Sequence, residues 1–171
     1  MKKVFVIMMC CLGLAFASCK PEQVAPNAAF VGSYVGSIYL VGTATAPELA
    51  NMGYPAEIPL DSMQFIVNAD ITAGETKETV LVKFSIDEDT YEHTSTVNGK
   101  QMSFGTITYH YTVQGNDFTV DLVLDGILSD DANRIALSGP FTGNGKVIIS
   151  GIPIPISLQV AGDVTGTINR K

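Results

Sequence analysis

The chain has 171 residues and a formal net charge of −7, from 17 acidic and 10 basic side chains. Such a balance lacks the clustered Lys and Arg that phosphate contacts need, and it speaks against nucleic acid as a partner and against direct adhesion to anionic lipid headgroups. The length suits one domain that buries a core without staples, and all 3 cysteines (Cys10, Cys11 and Cys19) stand near the start, so packing alone must hold the rest.

Lys2 and Lys3 open the chain, an apolar stretch covers residues 4–17, and Phe16-Ala17-Ser18-Cys19 has the small residues of a cleavage site. Those 14 apolar residues are too few for a hydrocarbon core of about 30 Å, which takes about 20 helical residues. The layout resembles the lipobox of bacterial lipoproteins. The resemblance implies a signal peptide over residues 1–18, cleavage before Cys19, and acyl chains on the Cys19 sulfur and its new amino group. It also implies the envelope of a Gram-negative bacterium. Lys20 stands where an aspartate would resemble an inner-membrane retention signal, which favours the outer membrane and leaves its periplasmic and surface sides both open. Loss of Lys2 and Lys3 would leave 153 residues at −9, so attachment must come from the lipid, and two or more chains hold where one is marginal. Residues 19–29, with Pro21 and Pro26 and little apolar material, read as a lipidated tether, and the folded domain as residues 30–171.

From Phe30 onward apolar residues recur with period two, and no helical period is sustained. Residues 42–62 interrupt the pattern: Leu49, Met52, Tyr54, Ile58 and Leu60 sit among three prolines. A turn or two of helix over 47–52, stopped by Gly53, would make either a lid over a barrel mouth or a cover for apolar outer surface. Met63, Phe65, Val67, Ala69 and Ile71 then alternate with polar residues, as do Val80, Val82, Phe84 and Ile86. A hairpin through 72–77 would set Phe65 beside Phe84 and Val67 beside Val82. Asn98-Gly99 signals a hairpin joining 91–97 to 100–104, with Gly105 a bulge. Gly115-Asn116 signals another, pairing Val113 with Phe118, Tyr111 with Val120, Tyr109 with Leu122 and Ile107 with Leu124, while Thr106, Thr108, His110 and Thr112 face water.

The last third repeats the scheme, with Asn144-Gly145 as a turn between 135–141 and 146–150. Ile152, Ile154, Ile156, Leu158 and Val160 follow in alternation, and Pro153 and Pro155 remove two ladder donors from one side of that strand. That side reads as an edge, a bulge or a gap. A turn at Gly162-Asp163 would lead to a return strand over 164–170, with Val160 on Val164 and Ile156 on Ile168.

Eight to ten strands with short turns and no crossover helix predict an all-β antiparallel fold, an up-and-down β-barrel ahead of a β-sandwich. Gly32-Ser33-Tyr34 on the first strand and Arg170 at the end of the last resemble the lipocalin and calycin signature, in which a tryptophan packs beneath a basic residue at the closed end of a barrel. The exported start and the terminal Gly-Thr-Ile are also similar to calycin-like lipoproteins of anaerobic Gram-negative bacteria. The resemblance implies that Tyr34, in the place of the tryptophan, and Arg170 plug the barrel, with a cation–π contact of roughly 0.5–2 kcal/mol.

Tyr109, Tyr111 and Phe118 are candidates to line an internal cavity, with Met52 and Tyr54 supplied by the 42–62 segment; ordinary core packing is the alternative. Asp87-Glu88-Asp89 and Asp130-Asp131 lack the spacing of a calcium loop and read as solvated turns. His93 and His110 have no partner at zinc-like spacing and read as surface residues. No nucleophile elbow, metalloprotease helix or phosphate loop occurs. The expectation is therefore a non-enzymatic protein without cofactor or metal: a lipid-anchored envelope barrel that binds a small apolar or amphiphilic ligand at its mouth, or alternatively a module that docks an envelope protein.

Overall fold

The period-two alternation builds a wall with one greasy face, and that wall closes on itself. In the computed structural model, which describes residues 25–86, 89–113, 116–148 and 155–171, the strands are β1 (Gly32–Thr45), β2 (Glu57–Ala73), β3 (Thr79–Ile86), β4 (Asp89–Asn98), β5 (Gln101–Val113), β6 (Asn116–Leu128), β7 (Arg134–Val147) and β8 (Ile156–Arg170). Each pairs antiparallel with the next, and β8 returns to β1 from Tyr34↔Arg170 to Thr45↔Gln159, closing an up-and-down barrel. Closure pairs both sides of β1 and β8, which an open sheet would leave as edges. Inside, side chains such as Ile38, Val67, Phe84, Phe104, Leu122 and Val164 are almost completely buried, each contributing roughly 1.5–3 kcal/mol relative to exposure.

The two ends differ. At the end where β1 starts and β8 finishes, a 3-10 turn (Pro26–Ala29) carries Phe30 into the core. Its buried Asn27 donates from Nδ2 to the carbonyls of Thr76 (3.0 Å) and Thr79 (2.9 Å), tying the turn to the β2–β3 connection. At the other end the short helix α1 (Pro47–Asn51) starts on a proline, where no N–H is needed, and is followed by Gly53 at φ 83°. Leu49 of α1 packs with Ala46 and Ile156, covering part of that end.

The wall is uneven. β5 and β6 pair along their whole length, but β4 and β5 pair only through Thr96↔Ser103, Val97↔Met102 and Asn98↔Gln101. Beyond them Gly105, at φ 70°, sits at a register shift that bends β5 away from β4. The expected bulge at Gly105 is present. Ser95 faces inward beside this seam, fully buried, and its Oγ has no hydrogen-bond partner.

Several expectations are corrected. Residues 42–62 are not one long loop: β1 runs to Thr45 and β2 starts at Glu57, with a register shift between Leu40 and Gly42, and the expected short helix, followed by Gly53, fills the space between them. The β2–β3 hairpin pairs Val67 with Ile86, Ala69 with Phe84 and Ile71 with Val82, four residues from the expected register, because the turn closes later, at Gly74 N–H to Thr79 O. The β5–β6 hairpin is off by two: Tyr111 faces Phe118, Tyr109 faces Val120 and Ile107 faces Leu122, with Val113 opposite Asn116. Asn98 pairs with Gln101, so Gly99 and Lys100 form the turn of the β4–β5 hairpin. Each slip is even, so every side chain stays on its expected face.

Asn144-Gly145 and Gly162-Asp163 are not turns. β7 and β8 run straight through them, so Val160 and Val164, like Ile156 and Ile168, lie along one strand, β8, and are not cross-strand pairs. These glycines serve close packing instead. A Cβ on Gly145 would lie 2.2 Å from Cδ1 of Phe118, and one on Gly162 would lie 2.1 Å from the carbonyl oxygen of Val41. Of the edge, bulge or gap expected on the proline side, the edge is excluded at Pro155, which stands just before β8, whose two sides are paired to β1 and β7. Pro153, the Gly115 of the hairpin turn, Asp87-Glu88, the signal segment 1–18 and Cys19 with its tether to residue 24 lie outside the described residues.

Candidate functional site

At the end carrying α1, inward residues from five strands leave a small cleft. Ile38 and Leu40 of β1, Met63 and Phe65 of β2, Ile86 of β3, Tyr109 and Tyr111 of β5, and Val120 and Leu122 of β6 line it. Its volume is about 40 Å³, little more than the share of one water in the liquid and far below the roughly 300 Å³ of an ordinary ligand pocket. The barrel is thus filled for most of its length by its own side chains. The cleft reaches the rim, where Met63 and Tyr111 are each 38% exposed, while Tyr109 behind them is 7% exposed.

Aromatic rings dominate the lip. Tyr109 and Tyr111, two residues apart on β5 and so on one face, stack at 6.0 Å with 25° between planes. Phe65 stands edge-on to both at 6.2 Å, and Tyr91 of β4 stands edge-on to Tyr109 at 6.1 Å. Burial pushes the Tyr91 phenol above its ordinary pKa, the Asp89 charge adds to that, and a hydrogen bond to the His110 backbone opposes it. Asp89 sits across from Ile86, a cleft residue, and shares its face.

Around this rim Glu48 has the most constrained carboxylate. A hydrogen bond from its own backbone N–H is the largest cause of a pKa below the ordinary range, and Oε1 also accepts from the Ser157 N–H at 3.3 Å. The other oxygen, Oε2, is shielded from solvent and has no partner.

The remaining candidates are scattered. Met52 and Tyr54 lie on the α1–β2 connection, exposed, and neither lines the cleft. Phe118 covers Gly145 of β7 and is also absent from the lining. Tyr34 and Arg170 meet at the opposite end. The Arg170 guanidinium carbon stands 5.4 Å from the Tyr34 ring centroid, Arg170 Nη2 donates to Tyr34 Oη (2.8 Å) and to the Ala29 carbonyl (2.7 Å), and Tyr34 Oη donates to the Phe30 carbonyl (2.9 Å).

The histidines part company. His110 lies on the wet face, with Nδ1 3.3 Å from Thr119 Oγ1. His93 is half-buried rather than on the surface, because it faces inward against Gly105, whose missing Cβ leaves the ring room. Asp130 pairs with Lys100, and Asp131 accepts from Asn133 N–H at 3.2 Å, so these carboxylates organise the β6–β7 turn. Among the described residues no three His, Cys, Asp or Glu side chains group as metal ligands, and no helix is long and apolar enough to cross a membrane.

Of the residues that form the cleft, the sequence singled out Tyr109 and Tyr111 only. Ile38, Leu40, Met63, Phe65, Ile86, Val120 and Leu122 all carry the inward alternation, but which strands face one another across the interior follows from barrel closure and from registers set by the turns. Fold and cleft define a closed eight-stranded antiparallel barrel of calycin-like form with a narrow apolar mouth. No family model matches the chain. None of the curated proteins matches it either.

Proposed function

We propose that the chain is exported and held in the outer membrane of a Gram-negative envelope by lipid on Cys19, as a calycin-like lipoprotein whose barrel binds the apolar end of a small amphiphile at its mouth. The observation that carries the ligand reading is the apolar cleft opening between Met63 and Tyr111. Its size admits the tip of a ligand and leaves the remainder at the rim. Met63 is the adjustable wall, since an unbranched thioether repacks at little cost. The polarity of the barrel fits the anchor. Cys19 precedes Ala25 by six residues, a reach of at most about 20 Å. The lipid would therefore hold the 3-10 end at the bilayer and turn the mouth away from it.

Native mass spectrometry of the full chain extracted from its own membranes tests both parts. The expected result is an acylated N-terminal cysteine and a co-purified amphiphile that Met63→Trp, which fills the mouth, displaces while the far-UV spectrum stays that of a barrel. An unacylated Cys19 refutes the anchor, and a ligand-free chain refutes the binding. A second reading, docking of an envelope protein, loses the edge beside Pro155, because both sides of β8 are paired. It is favoured by one observation, the exposed Val35, Tyr39 and Val41 of β1 beside Ile66 of β2 on the outer wall.

A further inference from the structure

The charge of the molecule is distributed unevenly along the barrel. At the cleft end stand Glu48 on α1, Glu57 and Asp61 at the start of β2, Asp89 at the start of β4 and Asp117 at the start of β6. Among the described residues Lys146, near the end of β7, is the one cation there. At the opposite end Lys77, Lys100, Arg134, Arg170 and Lys171 offset Glu75, Glu78, Asp130 and Asp131. The net negative charge is therefore concentrated around the mouth, where a concave, low-dielectric lip focuses the field. Four aromatic rings, Phe65, Tyr91, Tyr109 and Tyr111, cluster at the lip, and Tyr111, stacked on Tyr109, is exposed at the rim. Ring faces carry partial negative charge and attract ammonium groups, most of all quaternary ones. Asp89, whose charge already acts on the Tyr91 phenol, adds a full carboxylate on the inner face of the same rim.

We propose that the ligand of the mouth is a cationic amphiphile: an alkyl or aryl ammonium whose apolar end enters the cleft between Met63, Phe65 and Leu122 while its charged head rests on Tyr111 and faces Asp89. This rests on the mouth-binding reading above and adds the sign of the head. An anionic head, such as the carboxylate of a fatty acid, would meet a rim where Glu48, Glu57, Asp61, Asp89 and Asp117 outnumber Lys146, and would find no arginine or lysine among the residues that line the cleft.

Three probes with one tail separate the possibilities: hexyltrimethylammonium, 1-hexanol and hexanoate, titrated into the full chain in zwitterionic nanodiscs with empty nanodiscs as blank. The chain has no tryptophan, and Tyr91, Tyr109 and Tyr111 of the lip are three of its 6 tyrosines, so the part of the tyrosine emission change that Tyr111→Leu alters reports the lip. The expected order is ammonium, then alcohol, then carboxylate, with the ammonium roughly three- to tenfold tighter than the alcohol. That margin should shrink in half-molar salt. Asp89→Asn should narrow the gap between ammonium and alcohol and leave the alcohol's affinity within about twofold, and Tyr111→Leu should narrow the same gap. Equal binding of all three probes, or a preference for hexanoate, overturns the cationic head and leaves the apolar mouth standing. Binding by none of them overturns both. Far-UV spectra of the two variants guard against a loss that reflects unfolding.

Discussion

Tyr34→Phe removes one oxygen from a fully buried aromatic residue of the closed end, and the consequence can be worked from three distances. That oxygen donates to the Phe30 carbonyl at 2.9 Å and accepts from Arg170 Nη2 at 2.8 Å, while Arg170 keeps the Ala29 carbonyl at 2.7 Å. The ring stays, so neither apolar burial nor the ring face beneath the guanidinium is lost. What remains is a buried carbonyl without its donor, at a cost of about 1–3 kcal/mol. Arg170→Met keeps the apolar stem and loses both Nη2 bonds, and it also relieves Nε, which is buried without a partner, so its cost should be lower, about 1–2 kcal/mol. Because the two substitutions share one hydrogen bond, the double variant should be more stable than the sum of the single losses by about 0.5–1.5 kcal/mol. Equilibrium urea unfolding of the full chain, followed by far-UV circular dichroism, measures all four corners of the cycle, with midpoints moving and slopes unchanged. A Tyr34→Phe loss under about 0.5 kcal/mol, the range of an ordinary surface change, or strictly additive single losses, would refute the view that Arg170 and the Tyr34 hydroxyl act together.

Three other outcomes are expected. Gly145→Val should destabilise by roughly 1–3 kcal/mol through collision with Phe118, whereas Asn144→Val, on the exposed face of a continuous β7, should stay within about 0.5 kcal/mol; the opposite ranking in urea melts would restore a turn at 144–145. Glu48 has a depressed folded-state pKa, so its contribution is present above the ordinary carboxylate value and is lost as pH falls through the lower folded one. The protection of the Ser157 amide, measured as exchange relative to the unstructured rate at each pH, should fall in that acid window in the parent chain, and in Glu48→Gln it should not change with pH there. Tyr91 is shifted the other way: its stabilising contribution persists below the ordinary phenol value and disappears as pH rises through the raised one. In ultraviolet titration Tyr91→Phe should remove a late-ionising component, and loss of an early one instead would contradict the burial of that ring.

Much of the barrel could be read from alternation alone, and the reason is visible in the errors. The β2–β3 and β5–β6 registers slipped by four and two residues, yet Phe84, Val82, Tyr109 and Leu122 still face inward, because face depends on parity and register depends on the turn. The two Gly-containing dipeptides of β7 and β8 misled for a different cause. Asn144-Gly145 has the composition of a tight turn, but strands on both sides hold it extended, and the space that Gly145 lacks is taken by Phe118. No local signal announces that. The cleft was half legible: Tyr109 and Tyr111 stood out as aromatics on an apolar face, whereas Met63 and Ile86 become neighbours of those rings only once the wall has closed.

A hoop is as strong as its weakest stave, and here that stave lies between β4 and β5, where three residue pairs do the work that twelve do between β5 and β6. Thermal fluctuation should part the wall there before it parts elsewhere, a sub-global opening well below the free energy of complete unfolding. Such breathing would let solvent reach the orphaned hydroxyl of Ser95, and it gives the interior, besides its mouth, a side door whose hinge is the backbone of Gly105.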